Sequence, residues 1–298
     1  MRIMRAMPKT FCIFLCALAA AGGCSKPAQP PKGAGPRIVS FSPGITRTLW
    51  DMGLGEHVVG VTRFCTLPPG VERPRLGDML TVNAEAILAV RPTVLFAQTS
   101  PSRFQGVRDI DPAVGVVELT MEELKDVPAA IERIGQVLAR PKLAARARAD
   151  FEAKVAAVRR SVAGRPRPRV LFVMGTDRPT AAGPGTFVAD MIEAAGGVNV
   201  GADVSGSTRW RATQIEAVLK AAPDVLICQA DPAAAPAAGA YWRGWRDLPA
   251  AKAGRVHVVT DPRWTIPSPY LAELLGRLAE MIHGQAATQA SKGRLGDG

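Results

Sequence analysis

Histidine and tyrosine are scarce in this chain, with three of the first and two of the second in 298 residues. His57, His257 and His283 lie far apart, whereas a zinc or manganese site draws on several histidine and carboxylate ligands together. Each histidine therefore reads as structural, and a bare-metal carrier is not expected. Tyr241 and Tyr270 leave little scope for iron ligation by phenolate. Tyr241 also lies in a tryptophan-rich stretch, AGAYWRGWRDL, expected to pack against the body of the protein. Cysteine is short as well. Of the five, Cys12, Cys16 and Cys24 belong to the N-terminus, which leaves Cys65 and Cys228 for the body of the protein. Two thiols without cluster spacing cannot supply the four thiolates of an iron–sulfur centre. They fall in different halves of the chain. A disulfide between them would lock the halves together; two separate thiols are the preferred reading. G-x-S-x-G, the Walker lysine motif and a G-x-G-x-x-G following a strand are all missing. Neither an enzyme nor a catalytic cofactor is expected.

The formal charge of +11 raises nucleic acid as a partner. The basic residues are dispersed, however. The one run, RPRPR at 165–169, has no interleaved aromatics and reads as a solvated linker, so nucleic acid is not expected. Hydrophobic content of 47% with 21% charged residues fits a soluble globular chain with ample core. The length suggests about two domains.

The N-terminus reads as an address. Arg2, Arg5 and Lys9 precede the apolar run FCIFLCALAAA, which is too short to cross a bilayer. Small residues then lead to Cys24. This resembles a bacterial lipoprotein signal with Cys24 as the lipidated residue, although Ala21 stands where leucine is usual. Residues 1–23 would be removed. Residues 24–36, with SKPAQPPKGAGP, have the composition of a flexible tether. A lipidated cysteine carrying two or more chains anchors stably, so the expected address is extracytoplasmic (periplasmic), bound to a membrane through lipid.

From residue 37 the chain alternates between short apolar runs and helical patterns. RIVSF, HVVGVT, TVLFAQ and VGVVEL read as strands, with ITRTLWDMGL and AEAILAV as helices between them. Residues 122–162 hold mainly helix formers; Pro128 suits a first turn, and Pro141 kinks or divides the run. Alternation then resumes with RVLFVM, GTFVADMIEAAGG, EAVLKAAPDVLICQ, RVHVVT and SPYLAELLGRLAEMIHG. The expected organisation is an N-terminal lobe over 37–140, a linking helix over 141–164 and a C-terminal lobe over 165–284. A disordered tail is expected over 285–298. The expected class is α/β: two Rossmann-like lobes with parallel sheets joined by one long helix, with a ligand cleft between the lobes.

One phrase is written twice. EAILAVRPTVLFAQ at 85–98 and EAVLKAAPDVLICQ at 216–229 share seven of fourteen residues. Glu85 and Glu216 open them, each seven residues before the proline. Each glutamate suits the first turn of a helix on dipole grounds alone. Two carboxylates at equivalent places on similar lobes also suit a partner with two equivalent subunits.

RIVSFSPGITRTLWDMGLGEHVVGVTRFC, NAEAILAVRPTVLF, GPGTFVADMIEAAGGVNVGADVSG and QIEAVLKAAPDVLI together resemble the helix-backbone class of periplasmic substrate-binding proteins. These serve ABC importers of cobalamin, ferric siderophores and haem. The resemblance runs from about Arg37 to His283. It implies a monomeric carrier of a small-molecule ligand that docks Glu85 and Glu216 onto a permease dimer. Trp210, six residues before Glu216, matches an aromatic that contacts the corrin in the cobalamin-binding branch. Aromatics of that branch are replaced here by Met79 and Gln98. Loop positions add Ser42, Pro43, Arg63, Phe64, Thr186, Arg263 and Trp264 as ligand-binding candidates, with Ile45, Cys65, Asp78, Gly185 and Pro267 beside them. Cobalamin or a related corrinoid is the first expectation for the bound ligand. A ferric siderophore clamped by Arg63, Arg209, Arg211 or Arg263, or haem, is the alternative. A ligand-sensing module and an enzyme resembling the metallocluster oxidoreductases are alternatives of another class.

Overall fold

The computed structural model describes residues 35–78 and 80–284. The leader, Cys24, most of the tether, Met79 and the tail lie outside the described residues.

The first half runs β1 (Ile38–Phe41), α1 (Pro43–Asp51), β2 (Val58–Val61), α2 (Ala84–Ala89), β3 (Val94–Ala97), α3 (Gln105–Ile110), β4 (Gly115–Glu118) and α4 (Asp126–Val137). Its sheet has the order β2-β1-β3-β4, and every pairing is parallel. β1 and β3 are buried along their whole length, as strands covered on both faces must be. α1 begins on Pro43, whose missing N–H and fixed φ suit a first helical position. α2 is capped by Asn83, whose side chain accepts from the Ala86 amide at 3.0 Å.

Pro141 divides the helical run. It opens α5 (Pro141–Val162), 22 residues long and so roughly 33 Å. α5 buries Ala144, Phe151, Val155 and Val162 on one stripe and carries its charges elsewhere.

The second half runs β5 (Arg169–Met174), β6 (Thr180–Ala182), α6 (Phe187–Ala194), β7 (Val198–Asn199), α7 (Gly201–Ser205), β8 (Trp210–Ala212), α8 (Ile215–Ala221), β9 (Val225–Gln229), α9 (Ala235–Gly244), α10 (Pro249–Lys252), β10 (Val256–Val259) and α11 (Leu271–His283). Its sheet is ordered β10-β9-β5-β6-β8, with β7 beside β5. The β10–β9–β5 part is parallel, but β6 pairs antiparallel with β5, and β8 antiparallel with β6. This sheet is therefore mixed where a parallel one was expected. The reason is the short 175–179 connection, which allows only a hairpin return; a parallel neighbour needs a crossover of a dozen or more residues.

A single apolar core runs through both halves. It includes Ile45 and Leu49 of α1, Phe96 of β3, Phe151 of α5, Phe172 of β5, Ile192 of α6 and Leu275 of α11. Each sheet also has an outer layer of its own, around Phe41, Ile87 and Phe104 in the first and around Leu226, Cys228 and Trp242 in the second. Tyr241 stacks edge-on against Trp242 and Trp245, at 5.2 and 6.0 Å, within the second lobe. Cys65 and Cys228 are both buried and free.

Candidate ligand cleft

In open α/β sheets, ligands bind beyond the carboxyl ends of the strands. In the first lobe those ends lead into the segments beginning at Ser42, Thr62, Gln98 and Leu119. In the second they lead into Gly175, Ala230 and Thr260.

Short contacts fix the two lobes against each other. The Phe187 amide donates to the Glu122 carbonyl at 2.6 Å. The Leu124 amide donates to Asp190 at 2.9 Å. At Gly44 the first turn of α1 comes so close to Pro267 that a β-carbon would stand 2.4 Å from its carbonyl oxygen. Two loops are tied within the first lobe by Ser42 and Gln98. The Ser42 hydroxyl donates to the Gln98 side-chain carbonyl, and the Gln98 amide reaches the Met121 carbonyl at 3.5 Å.

A cavity of about 520 Å³ spans the lobes at the edge where β2 and β10 end. Pro43, Arg47 and Trp50, one face of α1, form one wall, and the 66–69 segment forms a second. Asp261, Pro262, Arg263 and Ile266 of the other lobe close it. Arg263 forks onto the Asp261 carboxylate at 2.8 and 2.9 Å through Nε. Its guanidinium lies 3.8 Å from the centre of the Tyr270 ring, which Arg47 also approaches at 5.3 Å. Arg47 pairs with Asp51 at 2.8 Å. Burial pushes the Asp51 carboxyl up, against the lowering effect of Arg47.

The loop after β2 also presents Phe64, 63% exposed, with the Arg63 guanidinium 4.8 Å from its ring centre. Arg63 pairs with Asp78 at 2.6 Å. The Asp78 carboxylate accepts from the amides of Thr81 and Leu80, at 2.9 and 2.7 Å. Those bonds, joined by Arg63, hold it below the usual carboxylate range. Leu80 is exposed, and its carbonyl accepts from Arg103 at 3.2 Å.

Three expected ligand contacts take other roles. Trp264 is buried against Phe172, with ring centroids 6.5 Å apart, because a short 3-10 turn over Pro262–Thr265 directs it into the core. Thr186 is buried as the cap of α6, accepting from the Ala189 amide at 3.1 Å and donating to Gly183 at 2.9 Å. Ser42 is likewise fully buried. Trp210 is half-buried on the edge strand β8, with its ring 6.2 Å from Phe187. Arg209 beside it donates to the Gly185 carbonyl at 3.0 Å. Pro43 and Arg263 thus meet across the large cavity, Arg63 and Phe64 lie on the loop that continues into its 66–69 wall, and Trp210 belongs to the far edge of the second sheet. Sequence reasoning missed Arg47, Trp50, Leu67 and Asp261. The spacing of 43, 47 and 50 along one helix face was the available signal.

Glu85 and Glu216 are both exposed in the first turns of α2 and α8, and neither forms a salt bridge among the described residues. Cys65 lies 3.1 and 3.0 Å from the hydroxyls of Thr46 and Thr62. Burial pushes the Cys228 thiol up. It also pushes His257 and His283 down, and His283 is engaged with the Ala195 carbonyl at 2.9 Å. No group of three or more His, Cys, Asp or Glu residues among the described residues is placed to hold a metal ion.

Two lobes on a helical spine, meeting at a cleft with an apolar cavity, define a carrier of small molecules. The chain belongs to the periplasmic binding protein family, whose model matches residues 38–262. It is a substrate-binding protein and not an enzyme. It is similar to a cobalamin-binding protein of Halobacterium salinarum, 29% identical over 264 residues that cover 83% of this chain and 69% of that one. An ABC transporter substrate-binding lipoprotein of Bacillus subtilis is 27% identical over 257 residues, covering 83% and 80%. The solved apo structure of a periplasmic haem-binding protein from Roseiflexus sp. aligns with a TM-score of 0.71 and 29% identity, covering 86% of this chain and 100% of that one.

Proposed function

We propose that this protein is an extracytoplasmic solute-binding lipoprotein, anchored through Cys24, that captures cobalamin or a related corrinoid and delivers it to an ABC importer. The observation that carries the reading is an inter-lobe cavity walled by Trp50, Leu67 and four prolines, with an exposed Phe64 ring on the loop that leads into its 66–69 wall. A corrinoid brings the ligands of its own metal. It needs broad apolar contact and a few donors from the protein, and no axial side chain. The three histidines lie apart, in the short turn before β2, on strand β10 and at the end of helix α11, rather than grouped at the cleft, which agrees with that demand. The similarity to a protein named for cobalamin binding supports the same choice. Residues 25–36 serve as tether, and Glu85 and Glu216 dock the loaded carrier on the two permease subunits.

Haem is the second reading. Arg47 and Arg263 line the same cavity, and guanidinium groups suit the carboxylates of a propionate-bearing macrocycle. The test is a tryptophan-fluorescence titration of the mature protein with cyanocobalamin, haemin and ferric siderophores. Saturable quenching by cyanocobalamin that is weakened in Trp50→Phe is expected, because Trp50 lines the cavity. Binding of haemin or a ferric siderophore without any corrinoid response would reject the first reading.

A further inference from the structure

The exposed ring of Phe64 is held from behind by a chain of contacts that the apolar packing of the lobe does not require. Gly77, at φ +111, lets the backbone turn tightly enough that a β-carbon there would stand 2.2 Å from the Thr81 carbonyl oxygen. The Asp78 amide donates to that same oxygen at 2.9 Å, so the turn closes on itself. Inside it the Asp78 carboxylate is almost fully buried, fixed through one oxygen by the Leu80 and Thr81 amides. Its other oxygen takes Arg63 at 2.6 Å. The Arg63 side chain is otherwise exposed, and its guanidinium lies 4.8 Å from the centre of the Phe64 ring. A long flexible cation is thus pinned at one end by a buried carboxylate and laid against an aromatic ring whose surface stays mostly open to solvent.

We propose that Asp78 and Arg63 are positioning residues for ligand capture. They hold the Phe64 ring so that its uncovered face stacks on a broad, flat macrocycle, giving the layered order guanidinium, ring, ligand. The inference rests on the proposed function and narrows the ligand to flat tetrapyrrole-like molecules, because a folded hydroxamate complex offers no plane to stack on. Preorganisation is the physical gain: the ring is already oriented and its ordering entropy already lost before the ligand arrives.

The test is a titration cycle on the mature protein with cyanocobalamin and haemin as probes. Phe64→Ala should weaken binding of the preferred macrocycle on the order of tenfold, the scale of a lost aromatic stack. Asp78→Asn keeps an oxygen for the Leu80 and Thr81 amides but removes the charge that holds Arg63. It should weaken binding about threefold, the scale of an exposed cation–ring contact. That loss should vanish when Asp78→Asn is made in an Arg63→Ala or a Phe64→Ala background. A carboxylate that merely shapes the turn would cost the same in every background, and that result would overturn the proposal. So would an unchanged affinity in Asp78→Asn. If the wild-type protein binds neither macrocycle, the functional reading itself fails; wild-type binding with an unaffected Asp78→Asn variant defeats the positioning role alone.

Discussion

Replacing Gly44 by alanine should push the two lobes apart at a contact made by backbone on both sides. The added carbon would lie 2.4 Å from the Pro267 carbonyl oxygen and 3.5 Å from its carbonyl carbon, whereas real contacts of this kind essentially never fall below 3.0 Å. Neither side can yield by rotating a side chain. Gly44 is the second residue of α1, which carries Ile45 and Leu49 into the shared core. Pro267 lies in the chain between the buried Trp264 and the fully buried Ser268, which limits how far its backbone can shift. Overpacking of a well-filled interior costs about 1–3 kcal/mol, and two rigid partners place this case near the top, at about 2–3 kcal/mol. For a protein of this size, 1 kcal/mol moves the melting temperature by about 2–4 °C, so a fall of roughly 4–12 °C is expected. Calorimetry on the mature protein measures it. Gly53→Ala is the control, because no atom lies within 4 Å of the added carbon and only the backbone φ of +74° opposes it. A Gly44→Ala variant that melts with the wild type would refute the idea that this seam sets the spacing of the lobes.

Three other outcomes follow from the structure. Arg91 and Ala222 adopt left-handed φ values of 46° and 42°, which glycine tolerates at no steric cost; Arg91→Gly and Ala222→Gly should each gain about 0.5 kcal/mol in urea denaturation, strain relief outweighing added unfolded-state entropy. The double variant Glu85→Ala with Glu216→Ala should abolish uptake while the fluorescence titration stays unchanged, and normal uptake would end the docking proposal. The folded Asp78 carboxyl titrates below its ordinary value of 3.8. Its ionised form therefore contributes stability that is complete above about pH 4 and is lost as pH falls through the lower folded value. Asp78→Asn should flatten that part of the acid stability profile, and profiles of equal slope in the two proteins would refute the assignment.

The parts legible in the sequence are those where one physical demand dominates. IVSF and VLFA had to be strands because a parallel strand covered on both faces becomes a continuous apolar run. α5 was legible because one stripe of apolar residues recurs along 22 positions. β6 and β8 were not. They are three residues long, and Arg211 and Ala212 on the outer strand are exposed, so neither period nor hydropathy marks them. The site fared less well for a different reason. A hydroxyl or an indole in a loop reads as available, yet Thr186 and Ser42 are consumed by local hydrogen bonds and Trp264 is turned inward. The cavity joins Arg47 to Arg263, and the Arg63 pair crosses to Asp78. No local pattern announces partners so far apart.

The repeated phrase carries the strongest link between chain and function, and the structure locates where the repetition is kept. The side chains before the two prolines differ, arginine in one copy and alanine in the other, yet both residues take the same left-handed backbone. Each ends a short helix and reverses the chain into a parallel strand, α2 into β3 and α8 into β9. A helix that ends by the same turn, in front of the same proline, stands in the same relation to the strand that follows. Glu85 and Glu216 open those helices seven residues before the proline. Each lobe therefore presents its carboxylate from an equivalent place, without either glutamate needing a partner inside the protein. Conserving the backbone at the cost of two non-glycine residues in a strained region makes sense where the position of an exposed charge matters. We propose that it matters to a receiving partner with two equivalent subunits, to which equivalently placed charges are suited.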